Sequence, residues 1–445
     1  MELIASIPLV GGLLSVLIPF IVVLGIVVAV HEYGHYIVGK WCGIHAEIFS
    51  VGYGRPIWSR YDRHGTKWQI SWLPLGGYVK FLGDANASSF GDSEALSGMS
   101  QAERDRSFPG ASVGKRAATV AAGPVFNFIL SAFVFTGLVL WVGFPVEPLT
   151  VASLNTEEMK QSDLRVGDEI LAVNGEDVET LGGLVSIVAE METAGPVDLT
   201  VRRDGSTIEL VTPFLFPPLV ENTTFSSPAQ KAGFESGDLI LSLDGKPLQS
   251  FSDLKDIVLQ SNEKELEALV LRDGQEITLN VTPRITEIPV ADGKFEKRVM
   301  IGVTSKLAID EARYTPSILE ASWTGAGQVY STITNSLNAI KSMIVGDLGV
   351  DNLSGPVGIA RLSGDQASKG LVDYIFLLAA VSTAIGMLNL FPIPILDGGH
   401  LVIFAYEAVV GRQPHEKILN FAMSVGFVLL MALMVFATYN DFMKI

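Results

Sequence analysis

Hydrophobic and polar positions are arranged on two scales along this chain. On the coarse scale, four stretches run without Asp, Glu, Lys or Arg: Leu3 to Val30 (28 residues), Ala117 to Val146 (30), Tyr374 to Leu396 (23) and Ile418 to Asn440 (23). A helix needs about 20 apolar residues to cross roughly 30 Å of hydrocarbon, so all four are predicted to span a membrane. The first differs from a secretory leader: it carries Glu2 in place of a basic start, and its apolar run is far longer than a leader's core, so it is expected to be retained. On the fine scale, alternation predicts strands at Ala46 to Val51, Trp68 to Leu73 and Tyr78 to Phe81, with a turn at Arg63-His64-Gly65. Ser317 to Met343 places Ile318, Trp323, Val329, Ile333, Leu337, Ile340 and Met343 among polar residues, the pattern of an amphipathic helix or helix pair on the membrane surface.

Lys and Arg near the spans set the expected orientation. None occurs before Lys40, whereas Lys40 to Arg116 holds ten, which places that loop in the cytoplasm and the N-terminus outside. Four crossings return the C-terminus to the outer side. Composition agrees with a membrane protein: 48% of residues are hydrophobic, 18% charged, and mean hydropathy is +0.38. The net charge of −17 excludes partners held by phosphate neutralisation, so no nucleic acid is expected. Cys42 is the one cysteine, which rules out an intrachain disulfide or a thiolate metal cluster.

Much of the charge imbalance lies between spans two and three, where Pro145 to Ser305 holds 13 basic and 28 acidic residues. This segment repeats itself. Val166-Gly167-Asp168-Glu169-Ile170-Leu171 returns as Ser236-Gly237-Asp238-Leu239-Ile240-Leu241, and Val173-Asn174-Gly175 returns as Leu243-Asp244-Gly245. Arg203-Asp204-Gly205 returns as Arg272-Asp273-Gly274, and Val211-Thr212-Pro213 as Val281-Thr282-Pro283, at offsets of 69 or 70 residues throughout. A constant offset means two copies of one small domain, each β-rich with one amphipathic helix, Leu184 to Met191 and Leu254 to Gln260. The landmarks resemble PDZ domains, most plainly at Ser227 to Asp238; Glu158 to Asp168 of the first copy is more degenerate. The resemblance implies a groove in each copy that accepts a peptide, such as a C-terminus, as an added strand.

The chemistry starts at His31-Glu32-Tyr33-Gly34-His35. Four-residue spacing on a helix puts both imidazoles on one face, ready to share zinc, with Glu32 beside the metal as catalytic general base. Zinc needs a third protein ligand and an open fourth position. Val38 and Trp41 stand where one zincin pattern would place Gly and His, and Glu47 sits in a strand-patterned segment too close in sequence. Asp397 is the better third metal ligand, at the end of the third apolar run in Asn389-Leu390-Phe391-Pro392-Ile393-Pro394-Ile395-Leu396-Asp397-Gly398-Gly399-His400. His400 is a nearby spare. Pro392 and Pro394 break the helix there, which membrane depth tolerates only beside protein or a watery cavity, and Asn389 can bind the backbone of an extended substrate.

The HEYGH motif, Leu396-Asp397-Gly398 and the tandem PDZ-like insertion together resemble the site-2 proteases, intramembrane zinc metallopeptidases, over essentially the whole chain. Gly76-Gly77-Tyr78-Val79 to Gly83 is similar to that family's membrane-associated β-loop, Gly123-Pro124-Val125-Phe126-Asn127 to its second-span motif, and Ser354 to Ala360 is also family-like. The expected fold is therefore a membrane α-helical protein of four transmembrane helices with a membrane-associated β-loop and two inserted β-rich PDZ domains. The expected boundaries are 1–42 (first helix), 43–112 (β-loop), 113–145 (second helix), 146–215 and 216–306 (PDZ copies), 307–370 (surface segment), 371–400 (third helix) and 401–445 (loop and fourth helix).

The resemblance implies one zinc per chain and cleavage within single-span membrane proteins already cut on the outer side. These would be anti-sigma factors, with signal-peptide remnants a second class. It also implies residence in a bacterial inner membrane, with the PDZ pair in the periplasm and the site toward the cytoplasm. Substrate contacts are assigned to Asn389, Pro392, Pro394, Asn127, Gly76, Gly77 and Tyr78. The competing expectation is a non-catalytic peptide-binding scaffold or a metal transporter; the four spans show no inverted repeat of the transporter kind.

Overall fold

The computed structural model describes residues 11–84, 99–189, 191, 194–290 and 295–443, so residues 3–10 of the first predicted span lie outside it. Two compact units emerge, one from residues 1–138, 318–343 and 350–445, the other from 139–317 and 344–349.

Among the described residues, four helices are long and apolar enough to cross a membrane: α1 (Gly11–Trp41), α2 (Val113–Val142), α5 (Leu371–Asn389) and α7 (Glu416–Met443). Three further long helices accompany them: α3 (Ile318–Val345), α4 (Pro356–Lys369) and α6 (Asp397–Val410). Two boundaries differ from the charge-free runs. Helix α1 continues past Val30 to Trp41, because the charged and polar residues of its last three turns face protein as well as solvent. The third span ends at Asn389, and Asp397, expected at its end, instead opens the separate helix α6. Pro392 and Pro394 cannot donate a backbone hydrogen bond and push their predecessors out of the helical region, so residues 390–396 form a turn-rich break.

Val23 and Val27 of α1 pack with Leu378 of α5, flanked by Leu130 and Val134 of α2. Small hydroxyls add hydrogen bonds between α2 and α5: Ser131 Oγ donates to the Ala379 carbonyl at 2.8 Å and Ser382 Oγ to the Asn127 carbonyl at 2.9 Å. The amphipathic pattern at 317–343 resolves into α3. Its small-residue face seats Gly325 against Thr136 and Ala132 of α2, and Val329 joins Phe135 and Ala379 in a buried cluster. Helix α4 lies along α1, where Gly364 meets Ser15 and Val16. The Asp441 carboxylate, from the last turns of α7, accepts from the Gly355 and Gly358 amides at the start of α4, at 3.0 and 2.7 Å.

Strands β1 (Ala46–Tyr61) and β2 (Lys67–Phe81) each bend, so two elements make four pairing segments. Residues 46–51 pair with 77–81 and also face 67–70, while 56–61 pair with 67–71. The connecting turn is held by Asp62, whose Oδ1 accepts from the His64 and Thr66 amides at 2.8 and 2.9 Å. The sheet sits on the end of α1 through Tyr36, Ile44, Ala46, Phe49, Val79 and Phe81. Segment 77–81 is an outer edge of this sheet.

The second unit contains two four-stranded sheets of identical order. In the first, β4 (Glu176–Asp177), β3 (Glu169–Val173), β5 (Val197–Arg203) and β6 (Ser206–Thr212) pair in that sequence. The second runs β8 (Lys246–Pro247), β7 (Leu239–Leu243), β9 (Leu266–Arg272) and β10 (Gln275–Val281). Each has its own apolar core, around Ile170, Leu184 and Val201 in one and Ile240, Leu254 and Val270 in the other. A buried aspartate and an arginine near the end of the third-placed strand tie each copy: Asp168 with Arg203 at 2.6 Å, Asp238 with Arg272 at 2.7 Å.

Candidate active site

Helix α1 brings His31 and His35 to one face, with ring centroids 4.8 Å apart and near perpendicular and their Nε2 atoms 3.2 Å apart. Asp397, the first residue of α6, points Oδ2 at the same spot, 3.2 Å from His31 Nε2 and 3.6 Å from His35 Nε2. The three ligand atoms lie within 4.8 Å of one another. Asp397 Oδ2 is buried with no hydrogen-bond partner among the described residues. A buried carboxylate oxygen and two imidazole nitrogens crowded together repel unless a cation sits among them. Their separations match the roughly 3.3 Å that a tetrahedral zinc imposes on ligands about 2.0–2.1 Å away. The donor set, two imidazoles and one carboxylate with a further position open, suits zinc.

Helix α2 orients both rings. His35 Nδ1 donates to the Thr119 carbonyl at 2.9 Å, which leaves Nε2 with its lone pair free. His31 Nδ1 lies 3.2 Å from the side-chain amide of Asn127. With Nε2 given to a metal, Nδ1 would carry the proton, and the Asn127 amide oxygen, turned toward it, would accept. An amide's oxygen and nitrogen are assigned from the network around them, and the turned amide gives a partner to an Oδ1 otherwise left without one. Gly123 sits between these two contacts: a Cβ there would overlap His35 Nε2 and stand 2.8 Å from His31 Cε1. No larger residue fits beneath the imidazoles.

The ligand atoms open into a cavity of about 350 Å³. Its walls include Glu32, the edge segment Gly76, Gly77, Tyr78 and Val79, and Asn389 at the end of α5. A Cβ on Gly77 would stand 2.7 Å from the Ser50 carbonyl oxygen and 3.0 Å from Glu32 Cγ, so the edge strand passes directly against the glutamate. Of the residues assigned to substrate contact by sequence, these four, Asn389, Gly76, Gly77 and Tyr78, face the cavity. Asn127 does not: it is fully buried behind His31. Pro392 and Pro394 do not line it either; Pro394 packs near Gly426 of α7. His400 lines the cavity one turn after Asp397, and Glu47 is engaged with Lys80 at 2.8 Å. Sequence reasoning passed over Asp84, Arg116 and Phe404, which also form the wall, because each is brought there by tertiary packing and lies in no metal-binding spacing.

Comparison with known proteins places this geometry in a lineage. The model of peptidase family M50 matches residues 19–433. The regulator of sigma-E protease RseP of Escherichia coli K12 is 32% identical over 96% of this chain and 98% of its own length. The regulator of sigma E protease of Salmonella typhimurium LT2 matches with the same identity and coverage. A protein of Agrobacterium fabrum that carries the name of a zinc metalloprotease is 34% identical over 97% of this chain and 96% of its own. With the family model covering most of the sequence and full-length relatives above 30% identity, the chain belongs to peptidase family M50 and is a zinc metalloendopeptidase.

Proposed function

We propose that this protein cuts a peptide bond inside the membrane-spanning segment of single-span membrane proteins already shortened on their outer side, anti-sigma factors being the substrate type that fits the relatives' names. His31, His35 and Asp397 hold the metal. Bound zinc lowers the pKa of water toward ~7 and polarises a carbonyl. Glu32 takes the proton of the attacking water and passes it to the departing amine, so no covalent intermediate with the chain is required.

A helical substrate hides its carbonyls in its own hydrogen bonds, so the segment must be unwound before attack. The free edge at Gly76 to Val79 offers backbone groups to an extended strand, and its contact with Glu32 brings that strand to the base. Asn389, across the cavity, has an amide that can meet the backbone groups the edge leaves unpaired. The duplicated β-domains are read as PDZ domains on the periplasmic side of a bacterial inner membrane, admitting trimmed substrates and offering grooves to peptide C-termini. The metal site is read as lying toward the cytoplasm.

The observation that carries this reading is the unpartnered Asp397 oxygen facing two imidazoles, each held at Nδ1 by α2, at the mouth of a cavity walled by a strand edge. The test is cleavage of a model single-span protein, with and without its outer domain, by the full chain in proteoliposomes. Wild type should cut the trimmed form. Glu32→Gln should bind zinc and leave it intact. A zinc-loaded wild type that holds the trimmed substrate without cutting it would instead mark a scaffold.

A further inference from the structure

The two histidines stand together on one continuous helix, α1, whereas Asp397 stands on another, α6. The broken segment 390–396 separates it from α5, and Gly398 and Gly399 pack the start of α6 tightly onto Leu390 and Ile393 of that segment. Loop and helix start therefore move as one body, and the aspartate's place is set by what the rest of α6 grips. Asp397, His400, Phe404 and Glu407 succeed one another at helical spacing along one face. At its far end, about 15 Å from the aspartate at 1.5 Å per residue, Glu407 Oε1 accepts from Arg116 Nη2 at 2.7 Å. The Arg116 side chain is buried and that of Glu407 partly so, at 6% and 14% exposure. Arg116 Nε also donates to the Ala111 carbonyl at 3.1 Å, and its guanidinium covers the Phe404 ring at 5.0 Å. Arg116 stands on α2, one turn before Thr119, which holds His35, and two turns before Gly123, which seats both rings.

We propose that Arg116, acting through Glu407 and Phe404, is a positioning residue for Asp397: α2 contributes no metal ligand yet registers the aspartate helix against the histidine helix. The inference rests on the reading of Asp397 as a ligand. Arg suits the task because a planar fork fixes direction as well as distance, which a lysine ammonium does not. The rival account is that a buried ion pair serves folding alone. The two accounts diverge when the pair is replaced as a whole by apolar residues, a change that strands no buried charge.

The experiment measures zinc affinity of the purified full chain by competition with a chromogenic chelator, alongside a melting curve, for Asp397→Ala, Arg116→Lys, Glu407→Gln and the pair Arg116→Met with Glu407→Leu. The paired variant should melt close to wild type yet bind zinc about 10- to 100-fold more weakly, the range seen when supports of a metal ligand are removed. Arg116→Lys should fall between, and kcat should drop with KM unchanged. Wild-type affinity in the paired variant, beside a large loss in Asp397→Ala, overturns the positioning role and leaves the ligand standing. Wild-type affinity in Asp397→Ala overturns both. Should the paired variant fail to fold, the near-isosteric Glu407→Gln decides in the same way, an unchanged affinity overturning the proposal.

Discussion

Gly123→Ala is the smallest perturbation that reaches the metal centre without touching a ligand. The added methyl would stand 2.5 Å from His35 Cε1 and 2.8 Å from His31 Cε1. Ordinary contact begins near 3.4 Å, so the His35 ring must retreat by about 0.9 Å, against the roughly 0.2 Å that metal-ligand distances tolerate. The helix cannot simply back away, because Thr119 and Asn127 on the same face of α2 hold these same rings at 2.9 and 3.2 Å. Overpacking of this kind costs about 1–3 kcal/mol. Directed at the ligands, it converts at 1.36 kcal/mol per decade into about 5- to 150-fold weaker zinc binding. Competition with a chelator reads the affinity, and a melting curve of the zinc-free chain shows whether the fold is intact. A Gly123→Ala protein with wild-type zinc affinity would refute the account of α2 as the floor of the site.

The same geometry sets other outcomes. Glu32→Gln should retain zinc while cleavage falls by about 10²- to 10⁴-fold, the usual worth of a general base, and His35→Ala should lose both; metal analysis with a single-turnover assay separates the two. Gly77→Val should abolish cleavage while sparing zinc binding, since its side chain would enter between the edge strand, the Ser50 carbonyl and Glu32. Burial pushes the Asp84 carboxyl up to about 7, with Lys80 drawing it down and Glu47 raising it. The folded chain then keeps a proton that the unfolded chain releases, so stability declines as pH rises from about 4 to about 7, by at most about 4 kcal/mol. Asp84→Asn should flatten that slope in thermal melts. Burial would raise the Asp168 carboxyl, but the Arg203 guanidinium and the Arg165 amide outweigh it and hold it below the ordinary range. The first β-copy should therefore loosen at acid pH as this group protonates. Asp168→Asn should cost it about 3–5 kcal/mol, visible as faster hydrogen exchange in β3 and β5 of the full chain.

Features that act locally were legible in the chain. HExxH spacing needs only helical geometry, and the four spans need only a count of uncharged positions. Residues whose meaning depends on a distant neighbour were not. Asn127 reads as a polar residue available to substrate, and only its contact with His31, 96 positions away, turns it into a support for that ring. Arg116 reads as a flanking basic residue at the membrane boundary, while its partner Glu407 is 291 positions off. The uncharged run stops at Val30, but the helical spacing of His31 and His35 carries the expected first helix on to residue 42, and α1 ends at Trp41. The prolines were recognised as helix breakers, but that Asp397 starts a helix of its own depends on Gly398 and Gly399 fitting closely against the broken segment. The amphipathic stripe at 317–343 was plain, whereas its landing place on α2 depends on Gly325 meeting Thr136, which no periodicity encodes.

The break at Pro392 and Pro394 has a bearing on biosynthesis. Asp397 is made more than 360 residues after His35, once three of the four candidate spans have been synthesised. With Asp397 as the third ligand, the nascent protein would until then carry a histidine pair without its acid, and the metal centre would stay incomplete in the crowded insertion machinery. Chain order alone would then tie completion of the centre to late synthesis.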